Sequence, residues 1–194
     1  LKEVIESAGG ITVAHEAASG REAASWAMAD DCDVVILDIS LPDTHGIDVL
    51  KQIKQSRPDL AVLVLSMHPE SQYGLRALKA GASGYLTKDC DSADLIAAIR
   101  KVSEGRLYIS PGLAELIAGG LSGAKGVTPH DILSDREYQI LCMIASGKRV
   151  KDIAGQLALS PKTVSTYRNR LLLKLNMETN EDLCTYARTH ALLD

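Results

Sequence analysis

At 194 residues the chain has room for one or two domains, and its composition, 46% hydrophobic and 24% charged, is that of an ordinary globular protein. No apolar stretch approaches the roughly eighteen residues needed to cross a bilayer, and no basic-then-apolar signal pattern opens the chain, so a cytoplasmic protein is expected. The net charge of −4 hides an asymmetry: residues 148–174 carry seven Lys or Arg against the single acid Asp152, while residues 1–110 are acidic. A basic block in an acidic protein suggests either a local polyanion-binding surface or a solvated charged face. Cys32, Cys90, Cys142 and Cys184 lie far apart without metal-ligand spacing and are expected to be reduced.

Leu1, Val4, Ile5 and Ala8 follow helical spacing, so the chain opens within a helix and an element is expected to precede it. Residues 11–17, 34–39, 60–67 and 84–87 are short and rich in Val, Ile and Leu. The middle two are near-continuous apolar runs, as strands covered on both faces require. Residues 21–29, 46–55, 72–80 and 92–103 show helical periodicity, with Asp91 placed to cap the last. Such alternation predicts a parallel sheet with helices on both sides, doubly wound and five-stranded once a missing first strand is counted. Residues 105–130 are dense in Gly and Pro and read as a linker, with room for a short helix at 113–118.

After the linker the strand signal disappears. Ser134-Asp-Arg-Glu137 is a capping box that opens a helix to about Ser146, with Gly147 as its stop. A short helix over 150–158 follows. Ser160-Pro161 supplies the N-cap and first-turn proline of a third helix to Leu175, and Thr179 to Asp182 open a fourth. The tight turn at Leu159-Ser160 gives helix-turn-helix spacing. The predicted organisation is a domain over 1–104, the linker, and an all-α domain over 131–194.

In doubly wound sheets chemistry gathers at the carboxyl ends of the strands. Asp38 ends the run Val34-Val-Ile-Leu37; Ser66 ends the next, and Thr87 and Lys88 follow Gly84-Tyr85-Leu86. A carboxylate, a hydroxyl and an ammonium there would suit a phosphoryl group: Asp38 as nucleophile, Ser66 as donor, Lys88 as compensating cation. A strand-ending aspartate that merely caps a loop is the plainer alternative.

Asp38-Ile-Ser-Leu-Pro42-Asp-Thr-His-Gly46, then Leu65-Ser66, then Gly84-Tyr85-Leu86-Thr87-Lys88-Asp89, resemble the signature of response-regulator receiver domains, over residues 1 to about 104. The resemblance implies a flavodoxin-like fold, phosphorylation of Asp38 by a sensor histidine kinase, and reorientation of Ser66 and Tyr85 on phosphorylation. It also implies a divalent metal, Mg2+, held in part by Asp38 and the Ser40 backbone carbonyl. The family's acidic pair after the first strand has no counterpart in this chain, so weak metal binding and weak phosphorylation of the chain as given are expected.

On the third helix of the second half, Val164, Tyr167, Leu171 and Leu175 share one face at 100° per residue and are expected to pack inward. Lys162, Ser165, Thr166, Asn169 and Arg170 fall on the flanks and far side, the pattern of a recognition helix. Lys148, Arg149 and Lys151 are placed to touch a phosphate backbone, whereas Leu173 faces outward without fitting a groove. Leu133-Ser-Asp-Arg-Glu137, Ile153-Ala154 and Leu159 through Tyr167 to Lys174-Leu175 resemble the LuxR-type helix-turn-helix. Joined to a receiver, this is similar to the NarL/FixJ class. That resemblance implies binding of double-stranded DNA, with contacts from Lys162, Thr163, Ser165, Thr166, Arg168, Asn169 and Arg170. It further implies a transcription regulator rather than an enzyme, working as a homodimer on DNA without a membrane.

In the fourth helix Leu183, Tyr186, Ala187, His190 and Ala191 repeat at core-facing spacing, and both core packing and a dimer contact remain open there. A constitutive DNA binder with a dead receiver would leave Asp38, Ser66 and Lys88 coincidental. A flavodoxin-like cofactor domain would explain only the sheet, and the chain lacks a glycine-rich phosphate loop.

Overall fold

Six consecutive residues, Ala61–Ser66, are all buried, and they form the middle strand, β2, of a parallel sheet. The computed structural model describes residues 1–29, 32–121, 128–190 and 192–193, which fall into two units, Leu1–Leu116 and Ile117–Asp194. In the first, β1 (Val34–Leu37) and β3 (Gly84–Thr87) pair in parallel with either side of β2. Around the sheet lie α1 (Lys2–Ser7), α2 (Gly20–Ala29), α3 (Gly46–Ser56), α4 (Glu70–Lys79) and α5 (Ser92–Ser103). Ala61, Leu63 and Leu65 point to one face, where they meet Leu95, Ala98, Ile99 and Val102 of α5 and Ile5 of α1. Side chains alternate along a strand, so Val62 and Val64 point to the other face. There α3 and α4 contribute buried Leu50, Ile53, Tyr73 and Ala77. With helices on both faces, β2 can be wholly apolar.

The segment 11–17 departs from expectation: it makes no ladder and is not a strand. Ile11 and Val13 still pack against the α5-side cluster, and His15 stacks on Trp26 of α2 with ring centroids 4.0 Å apart. The alternation read from sequence therefore survives as packing. A ladder needs a neighbouring strand's N–H and C=O groups, and among the described residues the sheet ends at β1. Asp91 does stand at the N-cap of α5, but its side chain makes no cap bond. The glycine-rich stretch carries a longer helix than expected, α6 (Pro111–Leu121).

The second unit holds a 3-10 turn (Pro129–Ile132), α7 (Asp135–Ala145), α8 (Val150–Gln156), α9 (Pro161–Leu175) and α10 (Asn180–Thr189). The three caps read from sequence form. Ser134 and Glu137 bond reciprocally, the Ser160 hydroxyl accepts from the Thr163 N–H at 3.0 Å, and Thr179 and Asp182 close a second box. A third box, Thr128 with Asp131, opens the 3-10 turn and was not expected. Ala191 lies outside the described residues. Among those residues, no helix is long and apolar enough to cross a membrane.

After β1 the chain turns back sharply. The Gly46 N–H donates to the Ile39 carbonyl at 2.9 Å, and Ser40 and His45 form an antiparallel bridge. A Cβ on Gly46 would stand 2.2 Å from the Asp38 backbone carbonyl oxygen and 2.6 Å from the Ile39 Cα. Both obstacles are backbone, so neither can rotate away. Gly46→Ala is expected to cost about 2–4 kcal/mol of receiver stability, measured as a lower midpoint in urea denaturation.

Candidate functional site

Strand register assembles the first site. Leu37 pairs with Val64, and Val64 with Tyr85, so the residues just past these strands reach one edge of the sheet together. Asp38, the first residue beyond β1, receives the Lys88 ammonium on its Oδ2 at 2.6 Å, while the Ser40 N–H donates to its Oδ1 at 2.9 Å. The Asp38 side chain is 26% exposed, open enough for a reagent to reach it. The Lys88 N–H donates to the Ser66 carbonyl at 2.8 Å, which fixes the start of the lysine's reach. Ser66 itself is fully buried, and its hydroxyl accepts from the His68 N–H at 3.1 Å.

Tyr85 is also fully buried and donates its hydroxyl to the His68 carbonyl at 2.7 Å. Burial drives its phenol well above the ordinary range, the Ser66 hydroxyl opposes that rise, and the Glu70 and Asp38 charges add to it. The ring is thus already inward while Asp38 is an ion-paired carboxylate, and no space has to open to admit it.

Two further pairings tie down the loops that follow β1 and β2. The Asp43 carboxylate accepts from the Gly20 and Arg21 N–H groups at 2.8 and 3.1 Å, closing the start of α2. These bonds, the Gly20 one foremost, hold its carboxyl below the usual range. His68 approaches the Ser40 hydroxyl with Nε2 at 3.2 Å. Nothing local in the sequence announces either pairing, because the partners lie more than twenty residues away. As for a metal, no group of three His, Cys, Asp or Glu side chains able to hold an ion occurs among the described residues. Asp38 offers a cation its carboxylate at this edge, but one of the two oxygens is committed to Lys88. Magnesium demands near-octahedral oxygen coordination, so the residues present do not complete its site.

The second site is the outer face of α9. Val164, Leu171 and Leu175 are buried as expected, together with Leu172, and Tyr167 is half-buried. Lys162, Thr166, Asn169 and Arg170 are exposed along one stripe, and Leu173 continues it at 81% exposure. Thr163, Ser165 and Arg168 are half-buried on its flanks. Arg168 is already engaged, with Nε donating to Asn180 Oδ1 at 2.5 Å; Arg170 lies over the Tyr167 ring at 5.8 Å. The Ser165 and Thr166 hydroxyls donate back to the Pro161 and Lys162 carbonyls at 2.9 and 3.0 Å. The turn from α8 into α9 passes through Ala158 at φ 50°, a left-handed conformation that side chains resist.

Lys174, on the same helix, donates to Glu137 Oε2 at 2.7 Å, and Glu137 also closes the α7 capping box. One carboxylate therefore joins the start of α7 to the end of α9.

These features coincide with known proteins. Residues 1–100 match the response regulator receiver domain, and residues 131–187 match the bacterial regulatory proteins of the luxR family. The response regulator UvrY of Escherichia coli K12 is 36% identical over 193 residues, covering 99% of this chain and 88% of that protein. The response regulator GacA of Pseudomonas aeruginosa is 36% identical over 186 residues, covering 95% and 87%. Among solved structures, RcsB from Salmonella enterica serovar Typhimurium bound to promoter rprA with the phosphomimetic BeF3- superposes with a TM-score of 0.62 at 25% identity. It covers 95% of this chain and 89% of that one. A LuxR-family two-component response regulator from Aurantimonas sp. SI85-9A1 gives a TM-score of 0.58 at 36% identity, covering 62% and 86%. The chain belongs to the response regulators of two-component systems, the phosphorylation-switched class that joins a receiver to a luxR-type DNA-binding domain.

The Glu137 clamp yields a pH prediction. Burial pushes the Glu137 carboxyl up, but the bonds from Lys174 and Ser134 outweigh it, and the net shift is downward. A depressed carboxyl contributes stability that is present above its ordinary value of 4.5 and lost as the pH falls below it. Lys174→Met is expected to destabilise the second unit by about 1–3 kcal/mol at neutral pH, less than for a fully buried pair because Lys174 is part-exposed. Unfolding curves of wild type and variant are expected to converge in acid, below the ordinary carboxylate range.

Proposed function

We propose that this response regulator receives a phosphoryl group on Asp38 from a sensor histidine kinase and controls transcription by binding duplex DNA through α9. The observation that carries the first part is the Asp38–Lys88 pair at the carboxyl edge of the sheet, with the buried Ser66 beside it. In the transfer, an Asp38 oxygen attacks phosphorus and the phosphorus–nitrogen bond to the kinase imidazole breaks. The imidazole leaves as a neutral ring after taking up a proton, and an acyl phosphate remains. Lys88 offsets the added negative charge and Ser66 offers a hydroxyl donor. Of the oxygens a divalent cation needs, this chain would offer the Asp38 carboxylate and the Ser40 carbonyl. The protein works in the cytoplasm.

On α9, Lys162 and Arg170 pair with phosphates, Thr166 and Asn169 approach base edges, and Thr163 and Ser165 flank them. Arg168, tied to Asn180, contributes least directly. A chain from the structure of two RcsB dimers bound to two parallel DNAs superposes on this one with a TM-score of 0.56 at 25% identity, which supports a homodimer on DNA as the working form.

Two experiments test this reading. Asp38→Asn is expected to abolish acid- and base-labile phosphate incorporation from acetyl phosphate or a kinase; persistent labelling of that variant overturns the assignment. Salt-titrated binding to a duplex selected from a random pool, and to its scrambled counterpart, tests α9. Lys162→Ala or Arg170→Ala is expected to weaken both and to flatten the salt slope by about one unit each. Asn169→Ala is expected to cost about 1–3 kcal/mol on the selected duplex alone. Equal loss on both duplexes means that another face of α9 enters the groove.

A further inference from the structure

Beyond the sheet, residues 107–113 strap themselves across β3 and α4 at three points. The Tyr108 N–H donates to the Ser83 carbonyl at 2.8 Å, and Tyr108 forms a parallel bridge with Gly84. The Ser110 hydroxyl donates to Glu70 Oε2 at 2.6 Å while accepting from the Leu113 N–H at 3.0 Å, so one side chain both caps α6 and holds it to α4. Leu113 is fully buried in a notch opposite Gly74; a Cβ there would stand 2.8 Å from Leu113 Cδ1. Glycine is the poorest helix former after proline, yet it occupies the middle of α4 where the leucine needs room.

The strap meets the same residues that surround the phosphorylation edge. Glu70 opens α4 two residues after His68. The His68 carbonyl holds the Tyr85 hydroxyl, and its N–H is held by Ser66. Tyr85 in turn follows Gly84, to which Tyr108 is bridged. Segment 66–68 thus leads directly into the first turn of α4, which carries the carboxylate that holds Ser110.

We infer that Leu113 in the Gly74 notch, with the Ser110–Glu70 bond, is a latch that holds α6 on α4 while Asp38 is ion-paired, and that phosphorylation of Asp38 opens it. The inference rests on the phosphorylation reading above for its trigger, though not for the latch itself. A phosphoryl group on Asp38 draws Lys88 and the Ser66 hydroxyl to its oxygens, and the Ser66–His68 hydrogen bond breaks first. The first turn of α4 then shifts, Glu70 leaves Ser110, and Leu113 leaves its notch. Opening the latch frees the start of α6, which continues to Leu121.

Hydrogen exchange on the full chain reads the latch directly, through amides between Tyr108 and Leu121. Gly74→Val fills the notch from α4, and Leu113→Ala shortens the knob from the linker. Each is expected to raise exchange in this stretch at least about tenfold without any phosphodonor, with β2 and α5 still protected. Glu70→Gln keeps an acceptor for Ser110 and is expected to stay near wild type, while Glu70→Ala moves with the open set. Acetyl phosphate is expected to bring wild type to the level of Gly74→Val and to add little to that variant. Full protection of the linker in both Gly74→Val and Leu113→Ala overturns the latch, as does wild type that is labelled on Asp38 and keeps its linker protected. If Asp38 takes no label even with Mg2+ in large excess, the phosphorylation reading fails, and the donor-free arms still decide the latch.

Discussion

Parallel pairing of β2 with β1 on one side and β3 on the other brings three strand ends to a single edge. Nothing else in the N-terminal unit could place Asp38, Ser66 and Lys88 together, since 28 residues separate the first two and 22 the last two. The pairing in turn depends on burial of β2 on both faces, because a parallel ladder exposed on one face is rare. The closely approached turn at Gly46 then sends the chain away without covering the Asp38 side chain. The meeting of these three side chains at one edge is thus a consequence of how the core is packed. A substitution that slips β2 by one residue would disperse the site and invert both faces of the core at once.

The second unit solves a different problem, which is to expose one face of α9 while fixing its rotation. Val164, Leu171, Leu172 and Leu175 fix the rotation from within. The Glu137–Lys174 pair fixes the far end, and the Ser160 cap fixes the near one. The left-handed Ala158 costs backbone energy that a glycine would avoid. That cost is offset because the turn it makes delivers Leu157 and Val164 into the core, where both are buried. With both ends and the inner face committed, Lys162, Thr166, Asn169 and Arg170 are left outward as a rigid set.

Much of this was legible in the sequence wherever the determinants are local. Continuous apolar runs marked β1 and β2, hydroxyl-then-carboxylate spacing marked helix caps, and the 3.6-residue period separated the two faces of α9. The strand ends gave the expected meeting place and roles of Asp38, Ser66 and Lys88, and the family resemblance added the role expected of Tyr85. What escaped was of two kinds. Residues 11–17 have strand alternation, but ladder formation is decided by a neighbour, not by the segment itself. The Asp43 cap on α2, the Glu137–Lys174 clamp and the Leu113–Gly74 packing join residues about 20 to 40 positions apart, and no periodicity reports them. Gly74 was the one visible trace, a glycine inside a helical pattern where propensity argues against it.

Charge divides the labour between the two units. The acidic first 110 residues repel a polyanion, whereas the block 148–174 attracts one. A duplex approaching this protein is therefore turned toward α8 and α9 before any base is read, over distances set by the Debye length of about 8 Å at physiological salt. Phosphorylation of a receiver carboxylate replaces its single charge by nearly two, a net gain of about one negative charge on the acidic unit. It deepens that asymmetry while leaving the basic face unchanged. The direct electrostatic effect on DNA affinity is thus small, and at long range slightly unfavourable. Any gain in binding must come through a change in conformation or assembly, because charge alone pushes the other way.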